Sequence, residues 1–233
     1  MNFDAHPPTQ ASTEVSQPLK TPKPNYQRLI PTLLAIGVTF TVGHFLLSKP
    51  TPPTDPVWDF QPAPLVMQGG DPHIRALMRT ISAAESNSPR PYSILYGGDH
   101  ISDLSRHPDL CIPIVAGPNI GNCTTAAGRY QFITTTWLEQ AAKYHPQPPG
   151  FWFSRQFSFA PEFQDQVVYR WLSDPQAWGV DLVELLRQGQ LEEVLAILSP
   201  TWTSLGYGIE PNSMTDLLPQ IYHQMLEEEL RTG

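Results

Sequence analysis

Of the 22 acidic residues in this 233-residue chain, Glu85 is the one best placed to do chemistry. It lies in Ile81-Ser-Ala-Ala-Glu-Ser-Asn-Ser88, after Ile74, Leu77, Met78 and Ile81, whose i, i+3, i+4, i+7 spacing predicts one buried helical face. A proline-bearing loop, Ser88-Pro-Arg-Pro91, follows. A carboxylate at a helix C-terminus is opposed by the local dipole, and one tucked among small apolar neighbours loses hydration. Both effects raise its pKa. A Glu held protonated near neutral pH is what protonation of a glycosidic oxygen requires. Taken alone, a Glu before a loop is ordinarily a solvated helix end, so the reading depends on what surrounds it.

A second group is Gly128-Arg129-Tyr130-Gln131, suited to one wall of a sugar-binding cleft. Gly128 permits close backbone approach, Tyr130 suits stacking on a sugar face, and Gln131 suits an acetamido group. Tyr130 is equally suited to core packing, and Arg129 equally to pairing with Glu85 or another acid. Tyr92, Tyr96, Trp202 and Tyr207 are candidate cleft aromatics with the same packing alternative. Asp165 reads as structural, holding Arg129 or Arg170. Cys111 and Cys123 stand twelve positions apart in a Pro-, Gly- and Asn-rich stretch. Outside the cytoplasm they can pair, which closes a loop worth about 3 kcal/mol in the chain-entropy view; two unpaired thiols are the alternative. His107 lies four residues before Cys111, but nothing around either cysteine suggests a nucleophile or a metal site.

These residues need a frame, and the chain divides by composition. Residues 1–28 are polar and lack a helical apolar period, which predicts a disordered tail. Leu29 to Ser48 carries no formal charge; twenty residues at about 1.5 Å each match the thickness of a bilayer core, so this is an expected membrane span. Lys20, Lys23 and Arg28 precede it and Lys49 alone follows closely, which places the N-terminus in the cytoplasm and the bulk of the chain outside. The segment after the span lacks a small-x-small cleavage site, so the anchor reads as uncleaved. Six of the fifteen residues from Pro50 to Pro64 are proline, a semi-rigid spacer assigned to residues 49–65.

The remaining domain, 66–233, reads as α+β and mostly helical. A hairpin is expected at Ser93–Ile101 around Gly97-Gly98. A helix is expected from near Ala126, carrying Ile133, Trp137, Leu138 and Ala141. Another begins at Pro161 and presents Phe163, Val167, Trp171 and Leu172. A last helix follows Asn212 or Ser213 and carries Met214, Leu217, Leu218, Ile221, Tyr222, Met225 and Leu226. With 14 basic residues against 22 acidic ones, the net charge of -8 argues against a nucleic-acid partner.

The order Glu85-Ser86, Tyr92-Ser-Ile-Leu-Tyr-Gly-Gly98, Ser105-Arg-His-Pro108 and Ala126-Ala-Gly-Arg-Tyr-Gln-Phe132 resembles the phage-lambda-type lysozyme family, which are lytic transglycosylases. Phe159-Ala-Pro-Glu-Phe-Gln-Asp165 and Trp202-Thr-Ser-Leu-Gly-Tyr-Gly208 extend the resemblance, which covers about Ile74 to Leu226. It implies a lysozyme-like domain with a small β-hairpin and no cofactor, here expected behind the one transmembrane helix and Pro-rich linker read from composition. It also implies cleavage of the MurNAc-β-1,4-GlcNAc bond of peptidoglycan glycan strands. Glu85 aligns with the family's single acid. It would protonate the leaving oxygen, then deprotonate the muramyl C6 hydroxyl to close a 1,6-anhydro ring, a high-effective-molarity step that needs no second carboxylate. Tyr92, Gly128, Arg129, Tyr130, Gln131 and Tyr207 are the expected substrate contacts. Asp99, Asp103 and Asp109 also suit turns and caps; Asp103 is the first to test as a second carboxylate. The anchor and spacer, and the elaborated Cys111–Cys123 loop, depart from the phage pattern. The anchor points to a resident enzyme of the bacterial inner membrane with its catalytic domain in the periplasm. A hydrolytic muramidase and a catalytically inactive glycan-binding scaffold are the competing readings, and no residue selects a protein partner.

Overall fold

Helix α1, Pro72–Glu85, is set by its first residues: the Asp71 carboxylate accepts from the backbone N–H groups of His73 and Ile74, and Pro72 occupies the first turn. Its apolar face, Ile74, Leu77, Met78 and Ile81, is fully buried. The helix stops at Ser86, and Asn87 turns the chain with φ of 25°. The computed structural model describes residues 61–147, 156–208 and 210–232, which belong to one unit, Asp55–Gly233. The expected tail, membrane span and most of the spacer lie outside the described residues. Among the described residues, no helix is long and apolar enough to cross a membrane.

Around α1 the chain adds α2 (Thr134–Tyr144), α3 (Pro161–Leu172), α4 (Pro175–Trp178), α5 (Leu182–Arg187), α6 (Leu191–Leu198) and α7 (Leu218–Thr232). Helices α1 and α7 pack along each other, and α3 and α5 also close on α1. Arg79 is buried at this seam and donates to Glu228 and Glu229 at 3.0 and 3.1 Å, while Arg75 donates to Glu229 at 2.5 Å. The β structure is slight. Strands β1 (Ile112–Pro113) and β2 (Cys123–Thr124) form an antiparallel pair at the base of the disulfide loop.

Several expectations are corrected. The Ser93–Ile101 hairpin is present but short: Ile94 bridges antiparallel to His100, and the Ile101 N–H donates to the Ser93 carbonyl at 2.9 Å, around Gly97 and Gly98 at φ of 87° and 99°. Leu95 donates across the turn to the Asp99 carbonyl at 2.7 Å and also bridges to Ala127, so the hairpin is tied to a second segment. The helix expected near Ala126 begins at Thr134, because Ala127–Phe132 closes a tight turn with Gly128 at φ of 75° and Gln131 at 46°, neither of them helical. Leu138, read as a buried position, is 40% exposed. The C-terminal helix starts at Leu218, after a 3-10 turn at Thr215–Leu217. The spacer does not run to residue 65. Arg79 donates to the Pro62 carbonyl at 2.9 Å and Arg129 to those of Pro64, at 2.9 Å, and Ala63, so two buried guanidiniums hold this strap in the domain. Proline carbonyls are free acceptors, and the strap supplies what these cations need.

Candidate active site

Glu85 lies at the floor of an open groove of about 680 Å³, within the size range of ligand clefts. The end of α1 brings it there. Ser204, from the loop after α6, donates its hydroxyl to Glu85 Oε1 at 2.5 Å. The same loop region is fastened to the helix end by Asn212, whose side-chain amide donates to the Ala84 carbonyl at 2.8 Å. Glu85 keeps some contact with solvent, but protein surrounds its carboxyl. Burial pushes its pKa up to about 7, the Ser204 hydrogen bond works against this, and the facing Glu210 carboxylate adds to the rise. A carboxyl in this state holds a proton near neutrality and can give it up.

The groove has two walls. One is the loop closed by Cys111–Cys123, whose Cα atoms stand 5.4 Å apart, an ordinary span for a disulfide. Ile114, Ala116 and Asn119 of this lip line the groove. The other wall is Thr201–Ser204 with Glu210 to Asn212. Tyr96, Gln131, Ile133 and Thr136 also line it. Glu85 and Glu210 are the only charged residues among the described lining. Among the described residues no cluster of three or more His, Cys, Asp or Glu is arranged to hold a metal ion.

Most of the expected substrate contacts are elsewhere. Asp165 on α3 is fully buried and gathers four donors: Tyr130 at 2.7 Å, Tyr92 and the Val66 N–H each at 2.8 Å, and the Met67 N–H at 3.2 Å. Tyr130 has no exposed surface, so its ring is unavailable for stacking on a sugar. Arg129 is buried and donates to Tyr92 at 2.8 Å as well as to the strap; its guanidinium pairs with neither Glu85 nor Asp165. Tyr92 is spent between Arg129 and Asp165, away from the groove lining. Gly128 serves packing rather than a ligand: a Cβ there would fall 2.4 Å from Gln164 Oε1 and 2.7 Å from the Phe159 ring. Gln164 in turn accepts from the Arg129 N–H at 2.9 Å and donates to the Tyr92 and Phe159 carbonyls. Of that motif only Gln131 keeps a partly open side chain in the groove, its amide donating to the Gly128 carbonyl at 3.0 Å.

Tyr207 is 55% exposed, donates to Glu192 and lies outside the groove lining. Asp103 is a turn residue. The Ser105 hydroxyl, and then the Ser105 N–H donating to it at 2.9 Å, hold its carboxylate below the usual range, and it does not line the groove. Trp202 lines the groove but is almost wholly buried, its indole N–H donating to the Tyr130 carbonyl at 3.0 Å.

The family model described as Endolysin matches residues 75–227, more than half of the chain. The chain belongs to the Endolysin family. Among solved structures, this endolysin-family chain is similar to bacteriophage lambda lysozyme complexed with a chitohexasaccharide, at 21% identity, with 68% of this chain and 97% of that one covered and a TM-score of 0.49. It is also similar to lysozyme from bacteriophage lambda, at 17% identity, 72% and 97% coverage and a TM-score of 0.45. No curated protein matches the sequence.

Two groove residues of this endolysin-family chain, Ser204 and Glu210, are not among the expected site residues. Ser204 lies inside the Trp202–Gly208 stretch that carries part of the resemblance, so its hydroxyl could have been found there. Glu210 has no such signal: an acid before Pro211 in a loop looks like any other.

Proposed function

We propose that this protein is a lytic transglycosylase that cleaves the MurNAc-β-1,4-GlcNAc bond of peptidoglycan and leaves 1,6-anhydro-muramic acid ends. The coarser class, a peptidoglycan-cleaving glycosidase, goes with membership of the Endolysin family. One observation supports the reading: of the two groove acids, Glu85 is the one held by Ser204 with its pKa raised to about 7, so it can both give and take a proton near neutrality. At neutral pH about half of such a carboxyl is protonated. In that form it donates to the bridging oxygen of a glycan lying in the groove. The departing chain takes the proton, and the muramyl C1 is left with oxocarbenium character. The carboxylate so formed then removes the proton from the C6 hydroxyl of the same sugar, the oxygen closes on C1, and Glu85 is restored to its acid form. An internal nucleophile needs no carboxylate to aim a water. The uncharged segment at residues 29–48 makes this a single-pass inner-membrane protein with its catalytic domain outside the cytoplasm.

A hydrolytic muramidase is the second reading, and what favours it is Glu210, a second carboxylate in the same groove. The deciding experiment incubates the full-length chain with sacculi, wild type beside Glu85→Gln, and reads the products by mass spectrometry. Anhydro ends lighter by one water, lost in Glu85→Gln, are expected. Reducing muramic acid ends would establish the hydrolase instead. Binding without turnover in both proteins would establish the inactive scaffold.

A further inference from the structure

We propose that Glu210 is a positioning residue for Glu85: it ties the disulfide-closed lip to the wall that carries Ser204, and it sets a second negative charge opposite the acid. The inference rests on the reading of Glu85 given above and deepens it.

The tie is visible in its donors. Glu210 Oε1 accepts from the Asn119 side chain at 3.2 Å, and Oε2 accepts from the Thr203 hydroxyl at 2.9 Å. Asn119 belongs to the lip, which is braced at its base by the Ile112–Thr124 pairing and by the Ile114 N–H donating to Asn122 at 2.8 Å. Thr203 adjoins Ser204, whose hydroxyl reaches Glu85. One side chain therefore spans both walls, and its hold on Thr203 bears directly on where the Ser204 hydroxyl points.

The charge is left free by the same arrangement. Both donors to Glu210 are neutral, and no Arg or Lys among the described residues pairs with it. Neither Lys nor Arg lines the groove among the described residues. The remaining titratable groups of the lining are Tyr96 and the buried Tyr130. Helix α1 has no base in its last turn, and the α7 acids Glu228 and Glu229 are already engaged by Arg75 and Arg79. A like charge with no counterion disfavours ionisation of its neighbour. Glu210 thus helps keep the proton on Glu85 without touching the glycan.

Two variants of the full-length chain separate tie from charge. Glu210→Gln keeps an acceptor for Asn119 and removes the charge. Its Glu85 titration midpoint, read by carbon NMR, should move to lower pH, and the alkaline fall of kcat/KM on sacculi should move with it while turnover persists at acidic pH. Asn119→Ala loosens the lip and keeps the charge. It should raise KM and speed amide exchange in residues 114–122, with the Glu85 midpoint left in place. An unchanged Glu85 midpoint in Glu210→Gln overturns the proposal. Loss of turnover at every pH in that variant also overturns it, because Glu210 would then act directly in the chemistry. A wild type without turnover, paired with a shifted midpoint in Glu210→Gln, removes the enzymatic reading and leaves the effect of Glu210 on Glu85 standing.

Discussion

Asp165 on α3 and Glu85 at the end of α1 are both carboxylates enclosed by protein, yet their surroundings treat them in opposite ways. Asp165 accepts from two tyrosine hydroxyls and two backbone N–H groups, with the Arg129 guanidinium bonded to one of those tyrosines. Glu85 receives one hydroxyl, from Ser204, and faces another acid. Four donors fix a carboxylate in place and make it a joint between α3, the strap and the Gly128–Gln131 turn. One donor and a like charge leave a carboxyl that exchanges its proton near neutrality. Identity of the residue type decides neither role; the number and sign of the neighbours do.

The largest effect that this contrast predicts is on turnover. Glu85→Gln should lose about 10²–10⁴ in rate, or more, with the fold intact. Its stability should also report the burial. Folded Glu85 keeps its proton up to about 7 whereas a free carboxyl releases it near 4.5, so the fold loses stability as pH rises through that window. Glu85→Gln removes this loss and should melt above wild type at pH 8 and close to it at pH 4, as calorimetry would show. Asp165→Ala should destabilise the fold instead. Leaving the buried Tyr130 hydroxyl, the half-buried Tyr92 hydroxyl and the Val66 and Met67 N–H groups without their acceptor costs about 3–5 kcal/mol, measurable by urea unfolding, and any loss of activity should track the unfolded fraction. If Asp165→Ala instead stays folded and inactive, the assignment of structural and chemical roles is wrong.

Gly128→Ala comes next. A methyl group pressed on Gln164 and Phe159, at a φ of 75°, should cost about 1–3 kcal/mol in the same unfolding experiment. A variant that folds as well as wild type but binds glycan poorly would return Gly128 to the cleft wall. The smallest effect belongs to Ser204→Ala. Losing the one hydrogen bond that lowers the Glu85 pKa should shift the alkaline limb of the pH–rate profile upward while most activity survives.

Much of this contrast is legible in the chain. The apolar period before Glu85 marks both the helix and its end, and the proline at 161 marks α3, because local spacing alone sets these elements. The Gly128–Gln131 motif misleads for a physical reason. Arginine, tyrosine and glycine together suit a ligand wall and a buried polar joint equally, and only the partner, Asp165 thirty-five positions away from Tyr130, decides which face they turn. Ser204 reaches Glu85 across 119 positions, and Glu210 meets the lip through Asn119, 91 positions before it. No local period records such pairings. The strap is hidden likewise: Pro62 and Pro64 look like spacer until two buried arginines donate to their carbonyls.

The most direct test of the account is the titration of the Glu85 side-chain carboxyl itself, followed by carbon NMR on the full-length protein without substrate. The account predicts a midpoint close to 7, matched by the pH at which kcat/KM on sacculi begins to fall. A midpoint near the ordinary 4.5, with turnover unaffected across that range, would contradict it.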